Sequence, residues 1–244
     1  MKIEPVRTGP DAEKIRAMFS EIAGNYDRAN TVLSGGVHHL WRKSLVAWSG
    51  ARFGQRVLDC ASGTGDLAIE FKRAVGLLGE VIGTDFCTEM LAYAPAKVRN
   101  LGLDIKFEQA DVTQLPYETG GFHVASISFG IRNVQDPLKG LSELARVVKP
   151  GGAVMVLELG QPSIPGFREA YNVYSRHVLP MIGGWITGRK QAYDYLQDSS
   201  SHFPYGEAFK TMMMKTGRFA SCEAKPLTFG IAYMYKGIVR EIST

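Results

Sequence analysis

The segment Val57-Leu58-Asp59-Cys60-Ala61-Ser62-Gly63-Thr64-Gly65-Asp66 runs from apolar residues into an acid, then small residues, then an amphipathic stretch. A strand that turns so abruptly into a helix needs glycine where φ is positive and where a ligand meets bare backbone. The free N–H groups and the positive end of the helix dipole then face whatever binds. Gly63, Thr64 and Gly65 are therefore candidate contacts to a nucleotide-like ligand. The turn fits a G-x-G-x-x-G/A pattern, with Asp85 about 20 residues further on, where an acid accepts the ribose hydroxyls. A dinucleotide and S-adenosylmethionine both satisfy that spacing, and a tight turn holding no ligand satisfies the glycines alone. Asp59 and Asp66 favour S-adenosylmethionine, because two carboxylates beside the turn repel a pyrophosphate and suit a sulfonium and an ammonium.

Three further groups carry chemistry. In Gln109-Ala110-Asp111-Val112, the acid is placed to take an adenine amino group and Val112 to pack the ring face. In Ser126-Ile127-Ser128-Phe129-Gly130-Ile131-Arg132-Asn133, Ser128 should face the donor and Gly130 should allow close approach. Arg132 and Asn133 should project polar groups over the reacting centre. Tyr93-Ala94-Pro95-Ala96-Lys97 mimics a short-chain dehydrogenase Tyr-x-x-x-Lys pair, but it follows the second strand and contains a proline. It reads as coincidence. His38-His39 is an adjacent pair whose side chains should diverge on a helix, with no third ligand near, so no metal site is expected.

These residues need elements to hold them. Residues 11–50 show helical spacing (Ile15, Met18, Phe19, Ile22, then Leu40, Trp41, Leu45, Trp48) and read as a cap on the sheet. Strands are predicted at 56–60, 80–85, 105–109, 124–128 and 154–158, alternating with helices at 66–75, 88–100 and 137–148. Lys149-Pro150-Gly151-Gly152 reads as a turn. Past Gly160, prolines interrupt an aromatic-rich stretch that reads as an insertion over 160–205. A helix at 207–215 and two late strands near 222–226 and 231–236 close the pattern. The alternation implies an α/β doubly wound, mostly parallel sheet of seven strands in a single 1–244 domain.

The chain of 244 residues carries 28 Lys and Arg against 24 Asp and Glu, a net +4 without a long basic run, which argues against a nucleic-acid partner. Cys60, Cys87 and Cys222 are odd in number and lack metal-type spacing, as in a reducing compartment. No apolar run reaches the length of a membrane span, and Met1-Lys2-Ile3-Glu4-Pro5 resembles no targeting segment, so a cytoplasmic protein is expected.

Taken together, the chain resembles the ubiquinone/menaquinone biosynthesis C-methyltransferases, a branch of the class I S-adenosylmethionine-dependent enzymes. The resemblance covers residues 12–238. It rests on Met18 to Asn30, on Leu33-Ser34-Gly35-Gly36 with His39-Leu40-Trp41-Arg42, and on the glycine turn. It continues in Ser128 to Asn133, Ala192-Tyr193-Asp194-Tyr195-Leu196 and Leu227 to Ala232. Ala61 stands where the wider class has glycine, and Ser62 where many members of this family do. The resemblance implies donor contacts from Thr64, Asp85, Asp111, Val112 and Ser128, acceptor contacts from Arg132 and Asn133, and closure over the donor by the helix holding Tyr26. The implied reaction moves a methyl from S-adenosylmethionine to a ring carbon of a polyprenylated quinol. The isoprenoid tail would lie on the aromatic insertion, with peripheral contact at the inner face of the membrane. Tyr171, Tyr174, Val178 and Trp185 read as well as ordinary core or a homodimer contact as they do as the surface for that tail. Two rival readings stand beside it: a nicotinamide-dependent oxidoreductase, and a non-catalytic cofactor-binding subunit of a quinone-synthesis complex.

Overall fold

A computed structural model describes residues 9–241, so the N-terminal reading of Met1–Pro5 lies outside the described residues. Seven strands, β1 (Arg56–Cys60), β2 (Glu80–Asp85), β3 (Lys106–Gln109), β4 (Phe122–Ser128), β5 (Val148–Leu159), β6 (Phe219–Leu227) and β7 (Ala232–Val239), form one sheet. Their order is β3-β2-β1-β4-β5-β7-β6, parallel except for the pairs that β7 makes with β5 and β6. The order reverses between β1 and β4, so their carboxyl ends open a crevice where open α/β sheets bind ligands.

Strands β1 and β4 are buried on both faces because both faces are covered. Leu58, Ile127, Leu141, Leu144 and Tyr235 fill one layer, and Val57, Phe71, Val124, Met155 and Leu157 the other. Helices α4 (Asp66–Val75) and α7 (Pro137–Val147) lie on those faces. The carboxylate of Asp136 caps α7 by accepting from the Lys139 N–H at 3.0 Å, and Pro137 opens the helix where no N–H is needed.

The cap is helical as expected, in three pieces: α1 (Ala12–Ile22), α2 (Tyr26–Ser34) and α3 (Val37–Ser49). Gly35 and Gly36, both at positive φ, turn α2 into α3. Two expectations are corrected. The 88–100 helix is two helices, α5 (Thr88–Leu91) and α6 (Ala94–Asn100), because Pro95 is tolerated only in the first turn of α6. Lys149-Pro150-Gly151-Gly152 is no free turn but the start of β5. There the β4–β5 register shifts between Phe122 and Val124, and a Cβ on Gly152 would sit 2.6 Å from the His123 carbonyl oxygen.

The aromatic stretch past Gly160 folds into α8 (Phe167–Val173), a π-turn (Tyr174–Val178), α9 (Leu179–Thr187) and α10 (Lys190–His202). It packs on the cap, where Tyr174 donates its hydroxyl to the Leu33 carbonyl at 2.8 Å. Helix α11 (Glu207–Lys215) returns the chain to the sheet. No helix among the described residues is long and apolar enough to cross a membrane.

Candidate active site

At the crevice, Ala61 after β1 and Phe129 after β4 adopt positive φ, 50° and 56°. For non-glycine residues each such backbone costs of order 1–3 kcal/mol, and such strain clusters at ligand sites. A Cβ on Gly130 would lie 2.4 Å from the Ala61 Cβ, so the two strand ends can close together only with glycine there.

Beside this contact opens a cavity of about 380 Å³, lined in part by Gly63, Asp85, Asp111, Val112, Ser128 and Asn133. Asp85 accepts the Gly63 N–H through Oδ2 and the Cys87 N–H through Oδ1, both at 2.9 Å, which fixes its carboxylate at the end of β2. Burial raises its pKa, against the pull of those backbone N–H groups. Asp111 is exposed and accepts the Thr113 N–H at 2.8 Å. The Ser128 hydroxyl is buried with no hydrogen-bond partner. A buried orphan at a strand end, facing a cavity rimmed by a ribose-type acid, fits a bound ligand that completes it.

Thr64 and Gly65 do not line this cavity. Thr64 donates its hydroxyl to Asp27 Oδ1 at 2.6 Å. Gly65 is required by packing, since a Cβ would come within 2.9 Å of the Phe107 ring and 3.1 Å of Ala94. The argument from Asp59 and Asp66 is also corrected. Asp59 is 1% exposed and accepts from Ser126 and Ser62 at 2.7 and 2.8 Å, with burial pushing its pKa to about 6. Burial likewise pushes Asp66 upward, but Arg42 and Lys97 outweigh it and hold the carboxyl below its ordinary value. Neither acid lines the cavity.

A second cavity of about 460 Å³ lies between the cap and the 160–205 segment, walled by Ile22, Leu33, Trp41, Tyr171, Tyr174, Leu179 and Tyr193 among others. The two cavities share Phe19, Tyr26 and Phe129. Tyr26, which opens α2, therefore stands at the seam, its hydroxyl pKa raised by burial.

Arg132 and Asn133 part ways. Arg132 faces the second cavity and Asn133 the first. The Arg132 guanidinium pairs with Glu158 at 2.6 Å, with side-chain exposures of 4% and 2%, and Nη1 also donates to the Phe129 carbonyl at 2.8 Å. Asn133 accepts the Tyr195 hydroxyl at 3.0 Å. The sequence reading missed Glu158, a lone acid closing an apolar strand, and that isolation was the available signal. It also missed Asp27 and Lys97, whose role depends on a packing that local sequence does not reveal.

His38 and His39 do not diverge: their ring centroids lie 3.9 Å apart, the planes tilted by 39°. With Asp66 they bring ligand atoms within 4.8 Å of one another, but both Asp66 oxygens are already paired, to Arg42 and Lys97. His38 lines the second cavity, contacts Ser34 through Nδ1 at 2.6 Å, and has its pKa lowered by burial to about 4, so it is neutral near pH 7.

Solved structures share this fold. An S-adenosylmethionine-dependent methyltransferase of Thermotoga maritima, a possible histamine N-methyltransferase, matches with a TM-score of 0.63 at 18% identity, covering 91% of this chain and 98% of that one. Phosphoethanolamine N-methyltransferase 2 of Haemonchus contortus, solved with S-adenosyl-L-methionine, matches with a TM-score of 0.59 at 17% identity, over 82% of this chain and 52% of that one. In sequence, the chain is 61% identical to the ubiquinone/menaquinone biosynthesis C-methyltransferase UbiE of Bdellovibrio bacteriovorus, across 95% of this chain and 98% of that protein. The UbiE of Edwardsiella ictaluri is 40% identical, across 95% and 93%. The pattern of one family matches residues 7–239, nearly the whole chain: this protein belongs to the ubiE/COQ5 methyltransferase family.

Proposed function

We propose that this methyltransferase moves the methyl of S-adenosylmethionine to a ring carbon of a polyprenylated demethyl-quinol, a naphthoquinol, a benzoquinol or both, in respiratory quinone synthesis. The observation that carries this reading is the pair of cavities meeting at Phe19, Tyr26 and Phe129: one a polar strand-end site, the other aromatic and apolar. A nicotinamide oxidoreductase and a non-catalytic subunit fit family membership less well.

In this reading Asp85 holds the donor's ribose, Asp111 and Val112 its adenine, and Gly63 and Ser128 its remaining polar groups. S-adenosylmethionine supplies an electrophilic methyl on a positively charged sulfur. Tyr26 and Phe129 keep water from the seam and hold the acceptor ring in line with that methyl. The acceptor's hydroxyl must lose its proton so that charge reaches the neighbouring carbon, and phenols titrate near pKa 10 as tyrosine does. Arg132 donates toward the phenolate oxygen, while Glu158 holds the guanidinium in place. Asn133, fixed by Tyr195, lies on the donor side of the seam rather than over the ring. The hydroxyl proton leaves through water: His38 lines the cavity, but with its pKa lowered to about 4 it holds a proton too weakly to take one from a phenol. When bound, S-adenosylmethionine would give up its methyl and keep the sulfur's bonding electrons as S-adenosylhomocysteine, and the proton of the attacked ring carbon would pass to water.

In this reading the tail lies along Tyr171 and Tyr174, and peripheral contact with a membrane surface or with a second copy falls to Trp185 and Met181 of α9, whose exposure (85% for Trp185) supports it. The cap, sheet and insertion act as one catalytic unit at the cytoplasmic face.

The test is transfer of labelled methyl from S-adenosylmethionine to demethylated naphthoquinol and benzoquinol, each presented reduced and oxidised. An oxidised ring accepts electrons where this reaction needs a carbon that donates them. Turnover should require reductant and rise with pH. Equal rates with both redox states would replace the quinol by another acceptor.

A further inference from the structure

Lys97, dismissed above as half of a coincidental motif, sits at the centre of a charged network. Its Nζ reaches Asp27 Oδ2 at 2.6 Å, Asp66 Oδ1 at 2.7 Å and the Thr64 hydroxyl oxygen at 3.2 Å, which uses all three ammonium donors. Thr64 gives its one hydroxyl proton to Asp27 Oδ1 at 2.6 Å. Asp66 Oδ2 accepts from Arg42 at 3.1 Å. Two acids and two bases thus balance, drawn from α2, α4, α6 and α3, with Thr64 joining them from the glycine turn.

The location matters more than the count. Asp27 follows Tyr26, the residue at the seam of the two cavities, and Thr64 stands between the two glycines of the turn beside the donor cavity. The network ties the helix that covers the site to the loop that forms its floor. A donor that entered or left past Tyr26 would require α2 to move and these bonds to break. They are breakable: Asp27 and Lys97 keep 41% and 28% side-chain exposure, so water and salt can compete for them.

We propose that Asp27, Thr64 and Lys97 form a latch that holds the Tyr26 helix closed over the donor site, acting as positioning residues that set how long the donor is retained. The proposal rests on the donor reading given above, and its test needs no acceptor. Labelled S-adenosylmethionine is bound to the full chain and its dissociation rate followed by rapid dilution. Asp27→Asn keeps the shape and the Thr64 bond but removes the ion pair. Lys97→Met removes the cation, and Lys97→Arg restores a charge.

Dissociation should quicken roughly five- to ten-fold in Asp27→Asn and in Lys97→Met, as for loss of charge-assisted bonds at a half-exposed site. Lys97→Arg should recover part of the loss. In the wild-type protein dissociation should quicken from low to high salt, and in Lys97→Met that salt dependence should flatten. A merely structural pair would lower the melting temperature without changing the salt response of donor release. Wild-type rates flat across the salt series overturn the latch without recourse to any variant, as do unchanged rates in both folded variants. Failure of the wild-type protein to bind S-adenosylmethionine at all overturns the donor reading and the latch together, whereas binding with no acceptor methylation leaves the latch standing.

Discussion

Under the proposed reading Asp85 and Ser128 bind the donor in different ways, and substitution separates them. Asp85→Ala removes a ribose acceptor and also frees the Gly63 and Cys87 N–H groups, so donor affinity should fall by about 1.5–3 kcal/mol, read by calorimetric titration. Ser128→Ala removes an unpartnered buried hydroxyl, so the unliganded protein should melt no lower while donor affinity drops. Arg132 is different again, because its partner stays behind. Arg132→Ala leaves the Glu158 carboxylate buried and unpaired, which should cost about 3–5 kcal/mol of stability by denaturant titration, in addition to any loss of kcat. A kinetic effect of Arg132 is therefore interpretable only beside Glu158→Gln and the double variant. At this scale the sequence was legible in placement: Asp85 and Ser128 line the strand-end cavity and Gly130 sits at a close approach of the two strand ends. It was not legible where a side chain's direction decides. Thr64 lies in the predicted turn yet points away to Asp27, and Asp59 turns into the sheet toward Ser126.

Among the elements, β1, α4, β2 and α11 follow from hydrophobic period and turn chemistry, and their bounds match the sequence reading residue for residue. The insertion did not yield to period, because its residues face two ways. Tyr171 and Tyr174 line the second cavity while Trp185 is exposed, so no single apolar stripe marks the fold of α8 to α10. The contact of β1 with β4 is the element-scale hinge of the site. Gly130→Ala would drive a methyl into Ala61 at 2.4 Å and should part the strand ends, costing about 1–3 kcal/mol of stability and weakening donor binding further. Ala170→Trp places an indole at the wall of the other cavity. The acceptor KM should rise about tenfold, ~1.4 kcal/mol, while titration shows donor affinity unchanged.

Across the whole molecule, two buried titrations oppose each other. The Asp59 carboxyl, at about 6 against an ordinary 3.8, binds its proton more tightly folded than unfolded. Its contribution to stability is complete below the unfolded value and is lost as pH rises through about 6. His38, at about 4 against 6.5, refuses in the folded state a proton that the unfolded chain takes. Its contribution is complete above the unfolded value and is lost as pH falls toward about 4. Thermal melts across that interval should show Asp59→Asn gaining relative stability as pH rises, and His38→Gln losing it. Parallel curves for both variants and wild type would remove these two groups from the pH response.

The position of β7 also bears on how the chain comes to be folded. It is the last strand in sequence but an interior one in space, hydrogen-bonded to β5 on one side and β6 on the other, with Ala232, Met234 and Tyr235 in the core. During synthesis the parallel half of the sheet can assemble while β5 still shows a bare row of N–H and C=O groups to the cell. A nascent chain arrested before Ala232 should therefore recruit chaperones and resist proteases poorly, because an unpaired apolar edge invites pairing with other chains. Release of the final strand would then be the moment at which an aggregation-prone intermediate becomes an enzyme.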